Sequence, residues 1–512
     1  MGNAREMAID SDDGGGGGGC GGAKRQKVDE RGVRREAVGA DGGCGSADRI
    51  SSLPDELRQR ILTRLAFKDA IRTGVLARGW RDLWKSRWPH SASVEVRLSS
   101  RNALRRELDA LARKPHPRRR LDRFSLVVKK CNLKTSELRG FTDYAAECRV
   151  EDLHVEVRKG IEGKLNFPLS SPLLARLSLR RIGVISSLYY KGAQPFRALE
   201  VIRLHSVSIS EVGFKNMMAL CPSLLALNLR ACHCDYFFYR PDIKRKRRSL
   251  VMPPNLRTVT VADCWGCASL NLVPVPCLRS FCYRGDFVNA PFFLPSDAAL
   301  GDLYIQFADS VAELHNTKKL SDSLPKDLSG LNVLTVCCNA LEVASRLLSI
   351  DDGANGMLPN INLHNLRELQ LIMLRMEASN LADLYVFFKT FQCPNLERLF
   401  VQLPASMAME GGSIGEVREE PPEDDLYNLL MVKVMNFNWR CSEVQLVSFL
   451  LRKASSLRKL LIVSPNVTPP DLPCVEADLL ILKEALANGK IILSESDDIT
   501  TQPYHSEVFI MD

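Results

Sequence analysis

The stretch that decides the fold reads Cys221-Pro222-Ser223-Leu224-Leu225-Ala226-Leu227-Asn228-Leu229. Its order is a leucine, two further residues, an apolar residue, one spacer and a second apolar residue. The last two apolar positions alternate as in a strand with one covered face. The proline ahead of the leucine breaks the preceding segment and starts the strand. The same order opens at Leu174, Leu199, Leu256, Leu278, Leu300, Leu331, Leu366, Leu396, Leu429 and Leu457. Lead-ins of the same kind recur in Pro254-Asn255-Leu256 and Cys393-Pro394-Asn395-Leu396.

The eleven clear copies are spaced by 22 to 35 residues, and weaker ones start at Leu121 and Val150. This resembles the leucine-rich repeat, whose period is about 20 to 29 residues, with the longer intervals holding insertions. The resemblance implies an α/β solenoid, a horseshoe with a parallel sheet on its concave side. A partner would be read by the variable side chains between the apolar positions and by loops such as 232–250.

A second stretch, Asp48 to Trp88, precedes the repeats. Pro54 suits the first turn of a helix, and Asp55 and Glu56 add the negative charge that turn favours. Leu57, Ile61, Leu62 and Leu65 fall on one helical face, with Arg58, Arg60 and Arg64 largely off it. Two further short helices are expected, one from Lys68 and one carrying Val75, Leu76, Trp80, Leu83 and Trp84. Some forty residues rarely build a sufficient core alone, so the apolar set calls for a partner surface.

The order Leu53-Pro54-Asp55-Glu56-Leu57, Ile61-Leu62, Lys68-Asp69-Ala70, Val75-Leu76 and Trp80-Arg81-x-Leu83-Trp84 resembles the F-box, more closely its plant form. Ala66, Gly74 and Gly79 depart from the usual plant pattern, and the two glycines would loosen the later helices. By this resemblance Leu53, Pro54, Leu57, Ile61, Leu62, Leu65, Val75 and Leu76 would contact a Skp-family adaptor, and Trp80 and Trp84 would brace the three-helix unit from behind. Near the C-terminus, Leu430 to Phe437, Glu443 to Leu451 and Leu457 to Ile462 resemble the FBD module of plant F-box proteins, read as strand, helix, strand. Its helix, with Val444, Val447, Leu450 and Leu451 on one face, would cover the end of the sheet.

The expected order is a disordered Gly-rich tail over 1–47, the F-box over 48–88, a basic helix and connector over 89–120, repeats over 121–425, FBD-like repeats over 426–495 and a tail over 496–512. The tail holds 14 of the 32 glycines, and its Lys24-Arg25-Gln26-Lys27 cluster resembles a nuclear import signal. Residues 48–130 carry 22 basic and 9 acidic groups, whereas the remainder beyond them is slightly acidic. With no aromatic stacking motif beside it, this belt reads as a solvated or partner-facing surface, not as a nucleic-acid groove.

No run of apolar residues is long enough to span a membrane. The 16 cysteines are scattered, which suits a reducing nuclear or cytosolic compartment. Cys232-His233-Cys234 and Cys264-Trp265-Gly266-Cys267 have donors for zinc, but Cys232 and Cys264 stand where such repeats turn the chain inward, so no metal is expected. Gly411-Gly412-Ser413-Ile414-Gly415 matches a hydrolase nucleophile motif but runs into an acidic, Pro-containing loop. Lys244-Arg245-Lys246-Arg247-Arg248 has the charge to bind an acidic partner or to act in nuclear import, and reads equally as a solvated loop.

No catalytic residue and no cofactor are expected. The resemblances imply a non-catalytic substrate-recognition subunit of a Skp–cullin–F-box ubiquitin ligase, joined to cullin through the adaptor, with an unknown protein substrate on the repeats. The competing expectation is a scaffold that uses the F-box outside a ligase.

Overall fold

The computed structural model describes residues 53–64, 73, 80, 83, 93–116, 118, 120–158, 163–167, 169, 171–186, 194–235, 251–264, 275–285, 299–307, 328–342, 345, 361–405, 417, 419–465, 476–497 and 501–506. The glycine-rich stretch 1–47, the basic cluster 244–248 and Ser413 lie outside them.

Fifteen parallel strands form one sheet in chain order. They are β1 (Ser93–Leu98), β2 (Arg123–Val128), β3 (Asp152–Val157), β4 (Arg176–Arg180), β5 (Val201–His205), β6 (Ala226–Arg230), β7 (Thr258–Ala262), β8 (Ser280–Gly285), β9 (Asp302–Phe307), β10 (Val333–Cys337), β11 (Glu368–Ile372), β12 (Arg398–Gln402), β13 (Met431–Met435), β14 (Lys459–Val463) and β15 (Ile491–Ser494). Every expected copy of the repeat, including the weak ones at Leu121 and Val150, supplies one strand.

The register makes the repeat a physical ladder. Leu153, Leu177, Ile202, Leu227, Val259, Phe281, Leu303, Leu334, Leu369, Leu399, Val432 and Leu460 stand side by side across the sheet, all buried. Most lead-in leucines close a small turn, the N–H bonding the carbonyl three residues back, as in Leu224 to Cys221 and Leu396 to Cys393, both 3.2 Å. The asparagine of the lead-in ties one repeat to the one before it. Asn395 Nδ2 donates to the His364 carbonyl at 2.6 Å, and Asn428 Nδ2 to that of Pro394 at 2.7 Å.

One turn geometry is reused at the strand ends. Arg181, Ser206, Ala231, Asp263 and Asn436 each follow directly on a strand with φ between +47° and +59°. L-residues resist this conformation by roughly 1–2 kcal/mol. At the first four, the backbone N–H gains a bond of 2.7 or 2.8 Å to one of the last two carbonyls of the next strand, which offsets that cost. Cys232 sits just past one such turn. Its buried thiol lies 3.3 Å from the Leu204 carbonyl and takes up the inward position expected of it. The bond to Cys264 and then burial raise its pKa and keep it a thiol. Among the described cysteines ten carry no disulfide, while Cys441 is held in one, a departure from the expected set of reduced thiols.

The convex layer carries α2 (Arg101–Arg113), α3 (Thr135–Glu147), α4 (Glu211–Ala219), α5 (Ala378–Thr390), α6 (Cys441–Lys453) and α7 (Glu476–Ala487), following α1 (Asp55–Arg64) ahead of the sheet. A short four-stranded parallel sheet, Lys164–Phe167, Gly183–Ser186, Ser208–Ser210 and His233–Asp235, replaces helices over part of that side. Serine side chains cap α2 and α4, Ser100 Oγ accepting from Ala103 N–H and Ser210 Oγ from Gly213 N–H, both 3.1 Å.

The start of α6 rests on a buried carboxylate. Glu443 accepts from the N–H of Asn438 at 2.7 Å and of Arg440 at 3.3 Å. Glu443→Ala leaves both donors unmet, and thermal or urea melts should show a loss of about 1–3 kcal/mol. Burial raises the folded carboxyl pKa above its unfolded value. A raised folded pKa contributes stability below the unfolded value that is lost as pH rises through the folded one. Glu443→Gln should therefore match or exceed the wild type in stability at about pH 7, with the gap closing toward about pH 4.

Three regions differ from expectation. The stretch 89–120 is more than a connector, since β1 lies in it and pairs with β2 over six residues. Its basic belt is partly spent within the chain, with Arg101 bonded to Glu137 at 2.7 Å and Arg118 to Glu147 at 3.0 Å. Within the FBD-like segment the helix does not cover the end of the sheet. The segment's strands β13 and β14 continue the ladder, α6 packs on the convex side between α5 and α7, and β15 forms the edge. The tail expected over 496–512 returns to the sheet through residues 501–506, where Pro503 and His505 are buried.

Candidate functional site

Two surfaces hold the candidate residues. The first is α1. Pro54 accepts from the N–H groups of Leu57 and Arg58 at 3.0 and 3.1 Å and so starts the helix as its residue type predicts. The helix is turned so that Arg58 and Leu62, four residues apart, face inward. Leu62 has no exposed surface, and the Arg58 guanidinium lies 5.9 Å from the centre of the buried Trp80 ring while pairing with Asp55. Leu57 and Ile61, also four apart, point outward with 46% and 38% of their surface exposed, beside the exposed Pro54 and half-buried Leu53. Periodicity grouped Leu57, Ile61 and Leu62 on one face; packing instead separates Leu62 into the chain's interior. Leu65, Val75, Leu76 and Trp84 lie outside the described residues.

The second surface is the concave face of the sheet. Because side chains alternate, each strand that turns leucines inward presents the intervening residues to the concave side. Over β3 to β6 these are His154, Glu156, Arg180, Arg203 and Arg230, all half-buried or exposed. Glu156 is flanked by Arg180 at 3.8 Å and Arg181 at 3.2 Å. Burial, then the charge of Arg123, lowers the His154 pKa. Over β10 to β13 the same positions hold Thr335, Glu368, Gln370, Phe400 and Lys433, all buried.

The C-terminal segment covers them. Lys433 Nζ donates to the Thr501 carbonyl at 2.6 Å and pairs with Asp497. Tyr504 N–H donates to Glu368 at 2.5 Å, and Glu368 also holds Arg398. His505 places Nδ1 2.8 Å from Thr335 Oγ1 and Nε2 3.2 Å from Asp302 Oδ1, with the Tyr304 ring edge-on at 5.6 Å. The donor atoms of Cys282, Asp302 and His505 lie within 4.8 Å of one another, a metal-like spacing, but both imidazole nitrogens are engaged by hydrogen bonds. None of these residues belongs to the set read from the sequence. The segment lacks apolar periodicity, and its partners are scattered over many repeats.

Comparison with known proteins agrees with this architecture. Residues 114–469 match the model described as "At1g61320/AtMIF1, LRR domain", and residues 50–91 match that of the F-box domain. "F-box/LRR-repeat protein At5g02910" of Arabidopsis thaliana is 27% identical over 188 residues, 36% of this chain and 39% of that relative. "Putative F-box/FBD/LRR-repeat protein At4g03220" of the same plant is 23% identical over 475 residues, covering 81% of this chain and 88% of the relative. "F-box/FBD/LRR-repeat protein At5g53840", also from Arabidopsis thaliana, is 44% identical over 54 residues, 10% of this chain and 12% of the relative. The FBD resemblance thus finds support in the names of relatives. Among the described residues no helix is long and apolar enough to cross a membrane. With a repeat ladder that matches over more than half its length and an F-box domain ahead of it, the chain belongs to the At1g61320/AtMIF1 leucine-rich-repeat family of F-box proteins.

Proposed function

We propose that this chain is the substrate-recognition subunit of a Skp–cullin–F-box ubiquitin ligase, in which α1 and its neighbours hold the adaptor and the repeats select a protein for modification. The observation that carries the reading is the apolar pair Leu57 and Ile61, left exposed on the helix of an F-box domain whose inward stripe is already satisfied by Leu62 and Trp80. An F-box domain in general implies binding to a Skp-type adaptor. The chain then contributes proximity and orientation, and other subunits carry the transfer chemistry.

Calorimetric titration of the full chain with a purified Skp-family adaptor tests the first half, with an expected Kd of about 1 μM or tighter. Absence of binding by the folded chain would end the reading. Pull-down of cullin through the adaptor separates a ligase subunit from a scaffold that uses the F-box elsewhere.

A further inference from the structure

We propose that the concave face over β9 to β13 is a peptide-binding groove and that residues 501–506 are its built-in occupant, held where an extended Pro-x-His segment of a protein partner docks. The inference rests on the reading that the repeats select a protein, and not on the adaptor contact.

The way the segment is held points to a groove. Backbone groups within the sheet are paired laterally, strand to strand, so whatever crosses the concave face must be gripped by side chains. Two of these side chains grip main-chain atoms. Lys433 donates to the Thr501 carbonyl, and Glu368 accepts the Tyr504 N–H. Contacts of this kind are indifferent to the occupant's sequence and serve any extended peptide. Selection falls to one side-chain pocket, where Thr335 and Asp302 engage the two imidazole nitrogens of His505, and Ser280 Oγ, 2.6 Å away, fixes the Asp302 carboxylate. Pro503 is buried beside it, while Tyr504 between them keeps 60% of its surface exposed. The pocket therefore reads a histidine two places after a proline and leaves the residue between them free to vary.

The composition of the face favours a removable occupant. Glu368 and Lys433 are buried charges that exist as such only while something covers them. Burying ions costs free energy that apolar residues of similar size would not, so a layer built only to stay closed gains nothing from them. The segment also leaves the groove incompletely filled. A cavity of about 510 Å³ remains beside it, lined by Gln306, Gln370, Gln402 and Asn436 over Ile372 and Leu374. A partner longer than this hexapeptide finds amide donors and acceptors and an apolar floor there.

Two measurements on the full chain decide the matter, neither with adaptor present, so that failure here and failure of adaptor binding are told apart. In the first, hydrogen exchange is followed in the wild type. The Tyr504 amide should exchange while amides of β11 remain protected, as for a local opening. Exchange of the segment only together with β11 would make it a permanent part of the fold and overturn the proposal.

In the second, a labelled peptide of sequence 497–506 is titrated into the wild type and into a His505→Ala chain. A self-occupied groove weakens apparent affinity by the fraction of time it is open, so the variant should bind the peptide at least about tenfold more tightly. Replacing the peptide's histidine by alanine, or adding Asp302→Ala to the protein, should abolish uptake. No binding of the peptide by a variant whose melting curve shows it folded overturns the proposal. If that variant does not fold, the exchange measurement on the wild type decides.

Discussion

Replacing Leu369 or Leu399 by alanine should lower the stability of the repeat domain by about 2–5 kcal/mol each, the range for emptying a fully packed leucine site. Both side chains have no exposed surface, and they stand opposite one another in the register of β11 and β12. Each cavity would therefore open into the same layer, and the double variant should deviate from the sum of the single effects. Urea melts followed by far-UV signal measure the loss. Arg203→Ala, on the exposed concave side of the same sheet, should stay within about 0.5 kcal/mol of the wild type. Since each strand is buried by its neighbours, a weakened layer at β11 and β12 should also broaden the transition as the two arms of the solenoid part company. Unchanged stability in both leucine variants would mean that these positions do not share a core.

The second large effect is expected at α1. Truncating Leu57 and Ile61 together to alanine should weaken the adaptor complex by about 2–4 kcal/mol, roughly thirty- to a thousandfold, if they form the centre of that contact. The melting curve should hardly move, because both side chains already face solvent. Leu62→Ala is the informative contrast. Its side chain is covered by the chain itself. It should lower the melting temperature of the N-terminal unit along with binding, whereas the outward pair should separate the two readouts. Undiminished binding by the Leu57, Ile61 double variant removes the surface on which the ligase reading stands.

Much of the fold was legible because the repeat states its geometry in short range. A leucine, a fixed gap and two alternating apolar residues are enough to place a strand, and even the weak copies at Leu121 and Val150 lead into β2 and β3. In the long sheet the two strands missed lie at its ends, and the short convex strands such as Lys164–Phe167 carry no repeat signal. β1 has the alternation Val94, Val96, Leu98 but no leading leucine, and β15 follows Gly489 and Lys490 instead of a Pro lead-in. Period-2 alternation alone would have found the first. At α1 periodicity marks an apolar stripe but not which part of it the rest of the chain covers, so it put Leu57, Ile61 and Leu62 together where packing turns Arg58 and Leu62 inward and leaves the other two outside. The concave groove was out of reach for another reason. His505 meets Asp302 across 203 positions and Thr335 across 170, and no local pattern encodes contacts of that span.

Those same separations set an order of events during synthesis. Chains emerge N-terminus first. Asp302, Thr335, Glu368 and Lys433 all precede residues 501–506, and their strands β9 to β13 end at Met435, so these strands can pair while their cover is still unmade or inside the ribosome. Synthesis in that order leaves an interval in which β9 to β13 precede their cover. In that interval the proposed groove is open to other segments, and closure of the face waits until its own cover has left the ribosome.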